Sequence, residues 1–424
     1  MNAIAGLFSK NWHFNIFFAL LLLSAATLPF TTYLMLPIAM LMLLNWIIEW
    51  QWKNKWQHII ANKRGLALII FTLICLTVIY GVTISYNKGH AKSYFDCYLW
   101  FFTAPIVMLP YVPTLLTKQR IRQTLGIFAA GTTIHILVLF CVALYRFILT
   151  GNHYFFFYGS FSLLYHPTYI SMYATLAFYI VLYYLYNKRK ALSTGLIIAL
   201  TAVLALLFAG IICLSSKAAI LVFGVLTILW FFYLLKTTKK RVIGGICLGI
   251  FALGLFLFMQ KSDSYVLGRF HNTVKQLSQR HENPNSYNST QIRLSTWKSS
   301  WEVAQNNLPW GVGTGDAIDE LSLHAIQHNY KNLIGHRFNA HNQYLQNLLT
   351  TGIPGIIILL IYCFYPLVCG IKRHDILYSS FALILILNIL VESMFEVRAG
   401  VDFIAITNVL LYLRSEPEHK LPMA

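Results

Sequence analysis

Repeated runs of about twenty apolar residues separate short basic clusters along this chain and restrict it to one kind of fold. Of its 424 residues, 58% are hydrophobic and only 11% are charged, whereas soluble domains carry about 25% charged residues. In the hydrocarbon of a membrane, an apolar run of this length forms a helix, because a helix pairs all its backbone N–H and C=O groups internally. We therefore expect an all-α polytopic membrane protein. The first run, Phe14 to Phe30, leads straight into the next without a small-residue cleavage pattern, so we interpret it as a retained helix.

Hydropathy predicts about twelve transmembrane helices. They are 13–31, 33–50, 66–84, 95–116, 124–148, 166–186, 192–211, 216–235, 242–259, 343–371, 376–392 and 399–413. Lys and Arg concentrate in alternate connections, at 53–64, 118–122, 188–190, 236–241 and 372–373. The positive-inside rule then places both termini in the cytoplasm. The polar segment 260–342 becomes a large periplasmic loop, with amphipathic helices, that folds over a single membrane domain spanning 1–424.

The formal net charge of +18 does not indicate nucleic-acid binding. Basic residues sit in short clusters between apolar runs, which is typical of membrane topology. All seven cysteines lie in or beside apolar runs, so we expect buried free thiols rather than disulfides. The outer histidines His324, His328 and His336 show no supporting periodicity. His336, His341 and their neighbours form no HExxH or similar pattern, and we predict no metal site.

Arg293 precedes an apolar stripe in the polar segment 260–342, which we call the outer segment. Apolar residues recur after it at helical spacing and predict an amphipathic helix at the membrane interface. The stripe consists of Leu294, Trp297, Trp301, Ala304 and Leu308. Arg293 then lies one turn before Trp297, at the depth of lipid phosphates. It could bind a phosphate through two parallel hydrogen bonds, or simply extend its guanidinium to the interface as an anchor.

His341 opens the apolar helix that follows the outer segment, with Asn339 as its expected N-cap. Tyr344 shares the face of His341, and we expect Tyr344 and Asn342 to line the same site. The positive end of the helix dipole favours a neutral imidazole and a nearby anion. A neutral His341 could accept a proton from a sugar hydroxyl as a general base. A capping histidine without chemistry is the alternative.

Other outer residues are weaker candidates. Lys217 interrupts a very short connection between two spans, where it is either a functional cation or an anchor. His166 begins the sixth span on the same side. The turn 308–316 has no preceding strand and no Gly-Lys-Ser/Thr, so it is not a P-loop. Its Gly313 and Gly315 would allow the backbone to approach a ligand closely.

An ionic cluster marks the outer end of the last two spans. It contains Glu392, Glu396, Arg398 and Asp402. We interpret the cluster mainly as ion pairs that neutralise one another, with Arg398 as a further candidate phosphate ligand.

Three blocks of this sequence resemble the O-antigen ligase/polymerase superfamily of bacterial membrane glycosyltransferases. The blocks are Leu214–Leu221, Ile292–Gly315 and Ala340–Gly355, and the segment 391–400 is also similar. Their order and topology match over most of the chain. Where the family has a phosphate-binding arginine, this chain has Lys217, which keeps the charge but loses the bidentate fork.

The resemblance implies a GT-C-like fold and an inverting glycan transfer from undecaprenyl pyrophosphate, without a cofactor or metal. It also implies that His341 is the general base and that Arg293 and Lys217 bind the pyrophosphate. A retaining two-carboxylate mechanism would need a close acidic pair at the site. The acidic residues of the outer segment show no arrangement that demands this mechanism. The oligomeric state does not follow from the sequence.

The expected function is an O-antigen ligase of the bacterial inner membrane. It would act at the periplasmic face on a lipid A-core acceptor, in lipopolysaccharide biosynthesis. An O-antigen or surface-polysaccharide polymerase and a protein O-oligosaccharyltransferase share the donor chemistry and stay open; the single outer loop and moderate length favour the ligase. A transporter of lipid-linked sugars would show repeated halves and midplane charges, which the sequence lacks.

Overall fold

The part of the chain that the structure describes consists of helices joined by turns and loops, without a β-strand. The computed structural model describes residues 11–111, 115–235 and 286–417, together with 237, 242, 245 and 249. These stretches contain α1 (Trp12–Thr27), α2 (Met35–Ile48), α3 (Trp52–Ala61), α4 (Gly65–Ile84), α5 (Lys88–Met108), α6 (Lys118–Thr150), α7 (Tyr158–Phe161) and α8 (Pro167–Lys188). They continue with α9 (Thr194–Leu214), α10 (Lys217–Leu234), α11 (Ser289–Asn306), α12 (Ala317–Gln327), α13 (Gln343–Lys372), α14 (Ile376–Asn388) and α15 (Arg398–Ser415). The predicted all-α class is confirmed for these residues.

Hydropathy located most of the described spans correctly. Six described helices are long and apolar enough to cross a membrane, namely α4, α6, α8, α9, α10 and α13, and three shorter apolar helices are α1, α2 and α14. The predicted span 242–259 and the basic cluster 236–241 lie outside the continuous described stretches, so the total of twelve stays a prediction. The helix predicted at 95–116 begins earlier, at Lys88, because the Asn87 side chain caps it by accepting the His90 N–H at 3.1 Å.

The last helix lies at the centre of the bundle. In α15, almost every side chain from Ala399 to Leu413 is buried, and the Tyr173 hydroxyl of α8 donates to the Ala399 carbonyl at 2.5 Å. In contrast, α9 and α10 expose large apolar side chains, such as Ile198 at 65% and Leu221 at 63%. Apolar exposure on this scale fits a surface that contacts lipid.

The predicted continuous span 343–371 is broken at Gly352. Its φ of 65° is in the left-handed region, and a Cβ there would lie 2.0 Å from the Pro309 carbonyl oxygen. That carbonyl accepts the Ile353 N–H at 2.9 Å. The turn before α12 therefore inserts into α13, and only glycine tolerates both the conformation and the contact. A short buried helix precedes the break, and a membrane-length helix follows it.

The helix predicted around Arg293 is present as α11, and its buried residues include small polar side chains as well as part of the apolar stripe. Ser295, Ser299 and Ser300 are fully buried, whereas Trp301 is 46% exposed and Trp297 is half-buried. The Ser295 hydroxyl accepts the Asn332 side-chain N–H at 3.1 Å, and the Ser299 hydroxyl lies 3.1 Å from Nδ1 of His324. Ala304, a member of the apolar stripe, is fully buried. The stripe therefore does not face one environment, and its place at the membrane interface stays a prediction.

Polar contacts join the connections between helices at each end of the bundle. At one end, the buried Arg64 donates to the carbonyls of Leu109 and Tyr111, each at 2.7 Å, and pairs with Glu416 at 2.6 Å. This end joins two connections and the residues that follow α15, which the alternation of Lys and Arg assigns to one side. That this side is cytoplasmic stays a prediction.

At the other end, the outer segment is fastened to the connection between α4 and α5. The Asp316 carboxylate accepts the backbone N–H groups of Tyr86 at 2.6 Å and Asn87 at 2.8 Å. These charge-assisted bonds hold the segment over the bundle. The same end carries the cavity that contains the predicted cations.

Candidate functional site

A cavity of about 240 Å³ opens where α8, α10 and α11 meet. Apolar side chains such as Leu221 and Trp297 form one part of its wall. Three side chains with basic nitrogen atoms, His166, Lys217 and Arg293, form another part. The combination of apolar wall and cations suits a ligand with an anionic group and a hydrocarbon or sugar portion.

Lys217 reaches this cavity because the preceding connection is very short. Ser215 ends α9 with a left-handed φ of 50°, and Ser216 is the N-cap of α10. Lys217 is therefore the first residue of α10, and its Nζ donates to the Thr290 hydroxyl at 3.1 Å. This bond joins the cation to the first turn of α11.

Arg293 stands on the second turn of α11 and lines the same cavity as Lys217. Its Nε donates to the Val391 carbonyl at 3.2 Å, and one terminal nitrogen lies 3.4 Å from a Glu392 carboxylate oxygen. Its side chain is 24% exposed. Because a guanidinium has five N–H donors, these contacts orient Arg293 and leave it further donors for an anion.

Glu392 is buried between two cationic or proton-binding groups. One carboxylate oxygen faces Arg293, and the other lies 3.2 Å from Nδ1 of His341. Burial pushes the pKa of Glu392 up, but the hydrogen bond and charge of His341, followed by the charges of Arg293 and His166, hold the pKa below its usual value. Glu392 is thus a carboxylate at neutral pH.

The carboxylate determines which nitrogen of His341 is available for chemistry. A carboxylate can only accept a hydrogen bond, so Nδ1 carries the proton. In a neutral imidazole, Nε2 then has a free lone pair. A histidine with a carboxylate on Nδ1 is the arrangement that a general base uses. The sequence did not predict that His341 and Glu392 lie side by side.

His341 does not open the helix, contrary to the prediction. It lies before α13 with a left-handed φ of 47°, and its N–H is accepted by Asn339 at 3.0 Å. Asn342 is the N-cap instead, since its side chain accepts the Tyr344 and Leu345 N–H groups. The Trp297 indole donates to the His341 carbonyl at 3.2 Å, which holds the histidine beside the cavity wall, although it is not among the lining residues.

The remaining predicted residues have mixed placements. His166 lines the cavity as the N-cap of α8, with the Tyr158 hydroxyl 3.4 Å from its Nε2. Tyr344 points into the bundle and donates to the Ile386 carbonyl at 3.3 Å. Asn342 serves as a cap. Among the described residues, neither Tyr344 nor Asn342 lines this cavity.

Gly313 and Gly315 also lie away from the cavity. The close approach that their lack of side chains permits is to the protein itself. A Cβ on Gly313, whose φ is 95°, would lie 2.4 Å from the Ser85 hydroxyl oxygen, and one on Gly315 would lie 2.2 Å from the Asn87 carbonyl oxygen. These glycines fasten the outer segment to α4 and α5, so the prediction that they approach a ligand is not supported.

The predicted ion-pair cluster at the end of the last two spans is divided. Arg398 lies 3.7 Å from Asp96 and does not line the cavity, so the structure does not place it as a third phosphate ligand. Glu392 faces Arg293 and His341 instead. Glu396 is half-buried beside Tyr94, and burial raises its pKa to about 7. Nearness in the sequence did not predict the partners of Glu392, Glu396 and Arg398, because the turn between α14 and α15 directs these side chains to different neighbours.

One group in the described part of the chain has the spacing of metal ligands, and it lies outside this cavity. It consists of Glu302, His324 and His328. The cavity itself offers cations rather than a set of metal ligands.

The comparison with known families gives a match to one part of the chain. Residues 202–360 match the family described as O-Antigen ligase, which confirms the resemblance inferred from the three sequence blocks. The family contains membrane glycosyltransferase-like ligases and polymerases. The matched region includes Lys217, Arg293 and His341, whereas His166 and Glu392 lie outside it. No curated protein matches the chain.

Proposed function

We propose that this chain, which carries an O-antigen ligase family domain at residues 202–360, transfers a glycan from undecaprenyl pyrophosphate to the lipid A-core oligosaccharide. The reaction takes place at the periplasmic face of the inner membrane. One observation carries the proposal: a cavity lined by two cations, Lys217 and Arg293, adjoins a histidine whose Nδ1 faces a buried carboxylate. The cations suit the donor, and the histidine suits the acceptor.

The donor's anionic group would lie between α10 and α11. Lys217 and Arg293 approach the cavity from different helices, so they can contact different oxygens of a pyrophosphate. Negative charge grows on this group as the bond from the anomeric carbon to the leaving oxygen breaks. Cations that are already oriented stabilise this charge without reorganisation, and the bonds from Lys217 to Thr290 and from Arg293 to Val391 provide that orientation.

The acceptor hydroxyl would approach Nε2 of His341. The hydroxyl oxygen forms a bond to the anomeric carbon while its proton passes to Nε2, and the pyrophosphate leaves with the bonding electron pair. A single displacement of this kind inverts the anomeric centre. The Glu392 carboxylate stabilises the imidazolium that forms, through the bond at Nδ1. The two protein groups in this step are the imidazole of His341 and the carboxylate of Glu392.

The acceptor distinguishes the ligase from its relatives, and a gene deletion tests it. We expect the deletion strain to make lipopolysaccharide with a bare core and to accumulate polymeric lipid-linked glycan. Electrophoresis of lipopolysaccharide and mass spectrometry of the lipid-linked pool measure the two products. A core that carries a single repeat would contradict the ligase and indicate a polymerase. Unchanged lipopolysaccharide with unglycosylated proteins would instead indicate a protein transferase.

Lys217 provides a graded test of the donor site. Lys217→Ala should lower the rate of glycan transfer about 100-fold, since it removes a cation from the leaving group. Lys217→Arg keeps the charge and should retain more activity than the alanine variant. Transfer from purified lipid-linked glycan is the measurement, and Lys331→Ala, an exposed lysine on the same outer segment, is the matched control. Equal activity of the arginine and alanine variants would remove Lys217 from the site.

A further inference from the structure

A second group of polar side chains lies between α11 and α12. Glu302 comes from α11, and His324 and His328 come from the end of α12. Their ligand atoms all lie within 4.8 Å of one another. Nε2 of His324 is 3.0 Å from a Glu302 carboxylate oxygen, and the two imidazole rings stack with centroids 4.0 Å apart.

The hydrogen bonds of both histidines direct Nε2 toward this group. Nδ1 of His328 lies 3.1 Å from the His324 carbonyl oxygen. A carbonyl only accepts, so this nitrogen carries the proton and leaves a lone pair on Nε2. Nδ1 of His324 lies 3.1 Å from the Ser299 hydroxyl. Metal-binding histidines are oriented in this way, by a hydrogen bond from the nitrogen that does not bind the ion.

The group is built but still accessible to solution. His324 is buried at 8% exposure, whereas His328 is exposed and Glu302 is half-buried. An ion could therefore enter from the side of His328 and keep water ligands. Lys298 is the nearby cation that opposes an ion, and its ammonium group lies over the Tyr330 ring, 5.9 Å from the centroid.

We propose that Glu302, His324 and His328 bind one divalent transition-metal ion of the Zn²⁺ class, through two imidazole nitrogens and one carboxylate oxygen. Imidazole suits Zn²⁺, Ni²⁺ and Cu²⁺, whereas Mg²⁺ and Ca²⁺ prefer sites made only of oxygen atoms. In a tetrahedral zinc site with bonds of about 2.0–2.1 Å, ligand atoms are roughly 3.4 Å apart. The exposed His328 side chain needs only a small movement to reach that spacing.

This ion would fasten two helices of the outer segment rather than enter the transfer reaction. Glu302 follows Arg293 by nine residues, or about 2.5 turns, so the two project from opposite faces of α11. Binding joins α11, which carries Arg293, to α12. The site is independent of the proposed function, and a chain that binds Zn²⁺ without transferring glycan would still support it.

Zinc titration of the full-length protein without an affinity tag tests the site. Zn²⁺ alone, added to the purified chain in detergent and followed by competition with a chromophoric chelator, should bind in one equivalent per chain. His328→Ala should weaken this binding at least tenfold, and His336→Ala, which removes another exposed histidine of the same segment, should leave it unchanged. His328 is the better target, because the buried His324 also supports packing against Ser299.

Thermal unfolding provides a second measurement that does not depend on activity. Zn²⁺ should raise the unfolding midpoint of the wild-type chain, since an ion that binds only the folded state stabilises it. The same addition should leave the midpoint of His328→Ala unchanged. Equal zinc affinity of the wild type and His328→Ala, or no wild-type binding at about 100 micromolar Zn²⁺, would overturn the proposal.

Discussion

Replacing His341 is expected to lower glycan transfer by about 10²–10⁴-fold, which is the usual contribution of a positioned general base. The sharpest variant is His341→Asn. Asparagine tolerates the left-handed φ of 47° at this position, so the backbone is preserved while the base is removed. His341→Ala should lose as much activity but also carries the strain of a left-handed alanine. The rate of transfer between purified lipid-linked glycan and core acceptor is the measurement.

Two controls separate catalysis by His341 from its support of the fold. His336→Ala removes an exposed histidine five residues away and should retain activity close to that of the wild type. Glu392→Gln keeps the size of the partner but removes its charge, so it should slow transfer less than the loss of His341 does. If His341→Asn transfers glycan at the wild-type rate while remaining folded, the general-base assignment is wrong.

Arg293→Ala should produce the second large loss, about 10²–10³-fold in transfer. It removes a cation from the leaving group and also deprives the buried Glu392 of a partner. Leaving a buried acceptor without its donor costs about 1–3 kcal/mol in the free energy of unfolding. Thermal unfolding must therefore accompany the activity assay, so that a lower yield of folded protein is not counted as slower chemistry.

Arg293→Lys distinguishes the two roles of this residue. Lysine keeps the charge beside Glu392 but cannot make two parallel hydrogen bonds to one anion. We expect it to restore the unfolding midpoint more fully than the rate of transfer. Arg337→Ala is the matched control, since it removes an exposed arginine of the same segment that pairs with Asp319 at 2.8 Å. Full activity in Arg293→Ala would exclude Arg293 from the donor site.

The positions of the two cavity cations could be predicted from the sequence. Lys217 follows a connection too short to carry it away from the bundle end, and Arg293 begins a helix whose period is visible in the sequence. Both constraints are local, because the spacing of residues along a helix is fixed by its geometry. In the structure, Lys217 and Arg293 line the same cavity.

The partner of His341 could not be predicted in this way. Glu392 is 51 residues further along the chain. Hydropathy locates the helices but does not reveal which of the connections between them contact each other. The same limit explains the incorrect N-cap. Asn339 and Asn342 are both suitable N-cap residues. The position of the helix start depends on contacts with residues distant in the sequence, such as the bond from the Asn342 N–H to the Ser393 hydroxyl.

Helical spacing predicted α11 but not the neighbours of its buried residues. The structure buries Ala304 of the apolar stripe together with the small residues Ser295, Ser299 and Ser300. Ser299 faces His324 and Ser295 faces Asn332, which lie 25 and 37 residues further along the chain. A helical period does not reveal which face of the helix a distant segment will cover.

The sequence by itself determined the class of this protein, the positions of most described spans and the cations at one end of them. Backbone groups in hydrocarbon must bond within their own helix, and that requirement acts on each segment separately. Only the tertiary structure decided that Glu392 faces His341, that Gly352 interrupts α13 and that Glu302 meets two histidines of α12. These features depend on contacts between residues far apart in the chain, which exist only once the helices have packed.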